Sequence, residues 1–260
     1  MAKCYVSYGL TVYFGICDLT MAPNLPITQP RTLQIQADTC RRYAKVGAGV
    51  YYPYDDCRYP MNPQDKEATG NLARTIDADH IQKLYETVAK DYPDFKLIFC
   101  PPFYWGPDSN SDGYSEDREE YLKRMSHGII QQNWYYRPTL DPYNGKVAAY
   151  NLLDEAGFDQ IPLCSAYVQK DYNVKVNRDN VPNTLKYCRE MLDPSRLLGY
   201  GVTRWHALND GGTQRYLEGW RYLDEARRTY YPEEGRRVHD YYAKINPNLP
   251  PREFPPLLVD

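Results

Sequence analysis

The run Val50-Tyr51-Tyr52-Pro53-Tyr54-Asp55-Asp56-Cys57-Arg58-Tyr59-Pro60 passes from β-prone aromatics into two adjacent carboxylates, an arginine and a proline. Side chains alternate faces along a strand, so neighbouring acids share one site only where the strand ends and the backbone turns. At the carboxyl end of a parallel strand, that is where barrel and doubly wound enzymes keep their chemistry. The run also reads as an acidic loop in which Asp55 or Asp56 caps the next turn. Close carboxylates push their titrations apart, which helps keep one protonated near neutrality. That acid can protonate a leaving oxygen while its negative neighbour stabilises a cationic sugar centre, the chemistry of glycoside cleavage.

Polar and aromatic residues gather at the other expected strand ends: Asp18, Tyr104-Trp105, Asn133-Trp134, Ser165 and Arg204-Trp205-His206. Trp and Tyr there either stack on sugar faces or anchor the core, and the 27 tyrosines suit both roles. Rival chemistries find less support. No glycine-rich loop opens a helix after a strand, which argues against phosphate cradling. The four histidines (His80, His127, His206, His239) show no ligand spacing, so no metal and no other cofactor is expected. His80 on a helix and His239 in the tail read as solvated; only His206 falls near the site. The seven cysteines contain no C-x-x-C and read as reduced, buried thiols, including Cys57 and Cys100 after their strands.

The elements that must position these residues follow from hydrophobic periodicity. Strands are predicted at Leu10–Ile16, into Asp55-Asp56, at Lys96–Pro101, Ile129–Tyr136, Ile161–Tyr167 and Leu198–Trp205. Helices are predicted at Thr32–Val46, Asp77–Tyr92, from Ser115 to about Met125, around Val147–Leu153, and at Val181–Leu192 and Thr213–Tyr231. Gly47, Pro93 and Gly157 supply stops. Six alternations of strand and helix imply an α/β fold with a parallel sheet and right-handed crossovers. The expected architecture is a (β/α) barrel, TIM-barrel-like but incomplete at about six β/α units, over residues 1–231. A doubly wound sheet is the alternative. A proline-rich tail over 232–260 is expected to pack on that domain.

The chain has 260 residues, 42% hydrophobic and 25% charged, enough for a sizeable core. A net charge of −3 with no basic block argues against nucleic acid as the main partner. No apolar run approaches the roughly 18 residues of a membrane span, so no membrane partner is expected. The N-terminal residues lack a signal-peptide layout, and a cytoplasmic location is the default expectation.

With those residues on view, the sequence resembles the catalytic barrel of the β-N-acetylglucosaminidase family that includes O-GlcNAcase. An aromatic followed by Asp-Asp matches Tyr54-Asp55-Asp56, and a Phe-Cys-Pro-x-x-Tyr-x-Gly run matches Phe99 to Gly106. A tryptophan ending the next strand is approximated by Trp134. The resemblance spans Leu10 to about Pro138. It implies retaining, substrate-assisted hydrolysis of N-acetyl-β-glucosaminides, in which the substrate's acetamido oxygen attacks the anomeric carbon. Asp55 would orient and polarise the acetamido group, Asp56 would be the general acid and then base, and Tyr104 would bind near the acetamido pocket. Trp105, Trp134, Arg204 and Trp205 complete the expected carbohydrate-binding set with Tyr54.

The chain also departs from the family. Neither Trp nor Asn appears at Leu163-Cys164-Ser165, where the family carries Trp-x-Asn, and Arg204 stands near its late asparagine. The family's first, glycine-rich strands have no counterpart, so an N-terminally incomplete barrel is expected. A non-catalytic carbohydrate-binding protein on a degenerate barrel is the second functional reading, and a structural or assembly role the third. The apolar first strand would make a poor exposed edge. It is expected to be covered by a second copy of the chain, by the tail, or by a missing N-terminal segment.

Overall fold

A computed structural model describes residues 12–16, 26–53, 64–65, 67, 73–100, 122–170, 173–176, 178–204 and 212–233. Within these, only the backbone is described for 73–76, 145–146, 167–170, 173–176, 204 and 212–218. The chain divides into two compact units, the first drawn from Met1–Asn133, Asp141–Ile161 and Ser195–Gly199. The second takes Trp134–Leu140, Pro162–Pro194 and Tyr200–Asp260.

The first unit runs β1 (Tyr13–Gly15), α1 (Pro30–Ala44), β2 (Gly49–Pro53), α2 (Ala73–Ala89), β3 (Leu97–Cys100), β4 (Ile129–Gln131) and α3 (Gly145–Glu155). Its sheet has the order β1-β2-β3-β4 with every pair parallel. Parallel bridges from Gln131 to Gln160 and from Gln160 to Leu197 extend that order. Among the described residues, neighbours in this sheet follow sequence order, without the reversal that a doubly wound sheet has at its switch point. Pro30 at the first turn suits the start of α1, because that N–H needs no intrahelical acceptor. Gly47 at φ 75° and Gly157 at φ 87° follow α1 and α3 in the left-handed conformation that glycine adopts at least cost.

Every residue of β3 and β4 is buried, as expected for parallel strands covered on both faces. Val50, Tyr52, Leu97, Phe99 and Ile129 point to the helices and pack with Cys40, Ile81, Leu84, Val88 and Leu153. Ile81, Leu84 and Val88 form the stripe expected of α2, each at most 1% exposed. Burying each contributes about 1.5–3 kcal/mol. One expectation fails here: His80 is buried, not solvated. Its Nε2 lies 2.5 Å from Gln36 Oε1, and Gln36 Nε2 donates to the Tyr52 hydroxyl at 3.0 Å. The three side chains join α2, α1 and β2 through a polar link, so a helical histidine that periodicity alone leaves unassigned becomes part of the core. Outside it, Arg124 donates two hydrogen bonds to Asp79 and Arg41 pairs with Asp38 and Asp91. Such surface pairs each contribute at most about 1 kcal/mol.

The second unit holds β5 (Leu163–Lys170), β6 (Asn173–Val176), α4 (Asn180–Met191), β7 (Gly201–Arg204) and α5 (Gly212–Tyr230). β5 lies between β6 and β7, parallel to β7 and antiparallel to β6. The antiparallel strand departs from the all-parallel expectation. Val174 and Val176 alternate with Asn173 and Lys175, a period-2 signal too short to register, and the connecting Asp171-Tyr172 lacks the glycine or asparagine of the favoured hairpin turns. Cys164, Ala166, Val181, Leu185, Ala226 and Tyr231 form this unit's core. At its margin the Tyr200 and Tyr231 hydroxyls meet at 2.5 Å, and burial raises the pKa of both.

Cys40, Cys100, Cys164 and Cys188 are buried thiols outside any disulfide, in line with the reduced-thiol expectation for these positions. Burial pushes the Cys40 and Cys164 thiols from 9.0 up to about 12. An ordinary thiol in the unfolded chain loses its proton first, so the stabilising contribution is whole below pH 9 and is lost as pH rises towards 12. Iodoacetamide at pH 8, read by peptide mass spectrometry, is expected to label these two cysteines at the rate of unfolding. Labelling as fast as a free thiol in the native protein would show that they are open to solvent.

The helix expected from Ser115 is described only from Leu122, and the tail only to Glu233.

Candidate functional site

In the first unit, β2 and β3 lie side by side, pairing Val50 with Leu97 and ending with Pro53 opposite Cys100. Both strands run the same way and so leave the sheet from the same, carboxyl, edge. Beyond Pro53 the chain continues into Tyr54-Asp55-Asp56, and beyond Cys100 into Pro101-Pro102-Phe103-Tyr104-Trp105. Tyr54, Asp55, Asp56, Tyr104, Trp105 and Trp205 lie outside the described residues, as do Asp18 and His206. The two motif-bearing runs therefore start from paired positions on adjacent parallel strands.

Asp65, nine positions beyond Asp56, is fully buried. Its carboxylate accepts from Ile27 N at 2.9 Å, Thr28 N at 3.0 Å and Thr28 Oγ1 at 2.5 Å. Charge-assisted bonds of this kind are stronger than neutral ones. They tie Asp65 to the turn ahead of α1.

The sheet face turned away from α1, α2 and α3 follows from strand alternation. Tyr51 and Pro53 of β2, Ile98 and Cys100 of β3, and Ile130 with Gln132 on and just past β4 alternate with the helix-facing set. Gln132 N donates to Phe99 O at 2.8 Å, which seats Gln132 beside Cys100. Pro53, Cys100 and Gln132 thus form a row across three strands at the carboxyl edge. Gln132 is 8% exposed. The sequence signal that marks it is Gln131-Gln132-Asn133 directly after Ile129-Ile130, an anomalous polar run after so apolar a strand.

Of the remaining expected residues, Asn133 belongs to the first unit and Trp134, Ser165 and Arg204 to the second. Trp134 is half-buried, bridges Leu163 in parallel, and stacks on Tyr136 with ring centroids 4.8 Å apart. One face of the indole is therefore occupied by Tyr136. Arg204 closes β7 opposite Tyr167, and only its backbone is described. Ser165 is not presented to a ligand: it is fully buried, its N–H donates to Asn180 Oδ1 at 2.8 Å, and its Oγ donates to Thr203 O at 3.3 Å. Asn133 is also buried. Among the described residues no cluster of three or more His, Cys, Asp or Glu side chains could hold a metal ion. No described helix is long and apolar enough to cross a membrane. No protein-family model matches the chain, and no curated protein matches it.

Proposed function

We propose that the chain is a glycoside hydrolase of the N-acetyl-β-glucosaminidase type, working by retaining, substrate-assisted catalysis on an incomplete (β/α) barrel of about six units. The observation that carries this reading is the pairing of Pro53 with Cys100 on adjacent parallel strands. It starts the Asp55-Asp56 run and the Tyr104 run from neighbouring positions at one sheet edge, where βα connections hold catalytic groups. The order of the first unit's sheet, which follows sequence order among the described strands, supports barrel-type winding.

In this scheme the acetamido oxygen of the substrate attacks the anomeric carbon as the glycosidic bond breaks, and Asp56 gives its proton to the leaving oxygen. The Asp55 carboxylate accepts from the acetamido N–H and stabilises the charge of the oxazolinium as it forms. Asp56, now ionised, takes a proton from the water that opens the ring, and the sugar leaves with its configuration retained. A hydrogen bond to that N–H gains strength as charge develops, which is where such interactions accelerate a reaction.

The discriminating substrate pair is an aryl N-acetyl-β-glucosaminide and the corresponding aryl β-glucoside. The first is expected to turn over, with the β-anomer released first by NMR, and the second to be inert, because it lacks the internal nucleophile. Equal cleavage of both, or of neither, overturns the proposal. One observation favours a second reading as a carbohydrate-binding protein: Ser165, in the segment where the resembled family carries Trp-x-Asn, is fully buried and committed to internal hydrogen bonds. Glycan binding without turnover, surviving Asp55→Asn with Asp56→Asn, would establish that reading instead.

A further inference from the structure

We infer that the Gln132 carboxamide is a sugar-binding contact, holding a ring hydroxyl of the glycoside; this rests on the function proposed above. A carboxamide offers a donor and an acceptor side by side and can pair with a hydroxyl in both senses. In so buried a strand such a group is costly to leave without a partner, and each instance calls for an explanation. Gln132 is 92% enclosed, yet its side chain makes no hydrogen bond among the described residues.

Its neighbours behave differently. Gln131 Nε2 donates to Ile129 O at 3.2 Å, and Gln160 Nε2 donates to Tyr150 O at 3.0 Å. Their Oε1 atoms are unpartnered but fully enclosed, and Gln131 sits on the helix side of the sheet with Ile129, closed to any ligand. Gln132 differs from both in the face it takes. Alternation with Ile130 turns it to the face away from the helices. There it stands in the row with Pro53 and Cys100, from which the Asp55-Asp56 and Tyr104 runs depart. An enclosed carboxamide without an internal hydrogen bond, on the sheet face away from the helices, is the arrangement of a specificity group in a carbohydrate site.

The test uses methyl N-acetyl-β-glucosaminide and its 3-, 4- and 6-deoxy analogues, titrated calorimetrically into the full chain and into Gln132→Leu. The Leu variant is expected to bind the parent glycoside about 10-fold more weakly, with an unchanged or higher Tm, because no internal hydrogen bond is lost. One deoxy analogue is expected to bind the wild type as weakly as the parent binds the variant, and to lose nothing further in the variant. Gln132→Glu, which keeps the length but removes the N–H donors, is the second variant and is expected to weaken the same hydroxyl contact. Unchanged affinity in both variants, or the same deoxy penalties in variant and wild type, overturns the inference while leaving the glycoside reading intact. No binding of the parent glycoside by the wild type overturns both.

Discussion

Replacing Asp56 by Ala is expected to lower turnover of a phenyl N-acetyl-β-glucosaminide by about 10²–10⁴-fold, the usual contribution of a positioned general acid–base group. Phenolate is a poor leaving group and needs the proton at the moment the glycosidic bond breaks. A dinitrophenyl glycoside leaves without that help, so its first step is expected to be nearly insensitive to the substitution. The dependence on leaving group separates an acid from a residue that merely supports the fold, since misfolding slows both substrates alike. Asp55→Asn is expected to fail differently. It removes the negative charge that stabilises the oxazolinium, costs about 10²–10³-fold, and does so for good and poor leaving groups alike. Steady-state kinetics on the two aryl glycosides check both expectations. Full activity of Asp56→Ala on the phenyl substrate would sink the assignment.

The second large effect concerns stability. Asn180 opens α4, is fully buried, and uses its whole carboxamide. Oδ1 accepts from Ser165 N at 2.8 Å, and Nδ2 donates to Tyr135 O at 2.8 Å and Arg137 O at 2.7 Å. One side chain therefore joins α4, β5 and the segment after Trp134 within the second unit. Asn180→Ala leaves two buried backbone groups and a part-buried one without partners, at about 1–3 kcal/mol for each fully buried group. The expected loss is about 3–5 kcal/mol, a large share of the roughly 5–15 kcal/mol that stabilises a domain. Asn183 is the control: it is on the same helix, donates to Pro138 O at 2.7 Å, and its bond is exposed. Asn183→Ala is expected to cost under about 1 kcal/mol. Asn180→Asp keeps the acceptor for Ser165 but turns a carboxylate towards two carbonyl oxygens. That raises its folded pKa above the unfolded value, so part of its destabilisation is expected to be relieved as pH falls and the carboxyl takes up a proton. Urea midpoints of the three variants decide; equal midpoints for Asn180→Ala and Asn183→Ala would refute the junction role.

Local pattern carried much of the architecture. The stripe Ile81, Leu84, Val88 is spaced for one helix face, and that face is buried whatever it packs against. Glycines at 47 and 157 ended their helices because the left-handed conformation after a helix favours a residue without Cβ. Leu97-Ile98-Phe99-Cys100 was legible as a strand because four apolar residues before Pro101-Pro102 have few other uses. The polar runs at the ends of β2 and β3 were legible as candidate chemistry for the same reason: carboxylates and aromatics interrupt strands that are otherwise apolar.

Partnership was a different matter, since it depends on residues far apart in the chain. Only the tertiary structure set β2 beside β3 with Pro53 opposite Cys100, the register that starts the two motif-bearing runs together. It also decided the fate of polar side chains whose residue type leaves several outcomes open. His80 became buried because Gln36, 44 positions earlier, supplies an acceptor for its ring nitrogen. Ser165 ceased to be a candidate ligand contact because Asn180 takes its N–H and Thr203 its hydroxyl. Gln131 and Gln132 are identical in type and adjacent in sequence. The period-2 pleat sends one to the helices and the other to the opposite face, and only the position of the sheet between those two environments decides what each can meet.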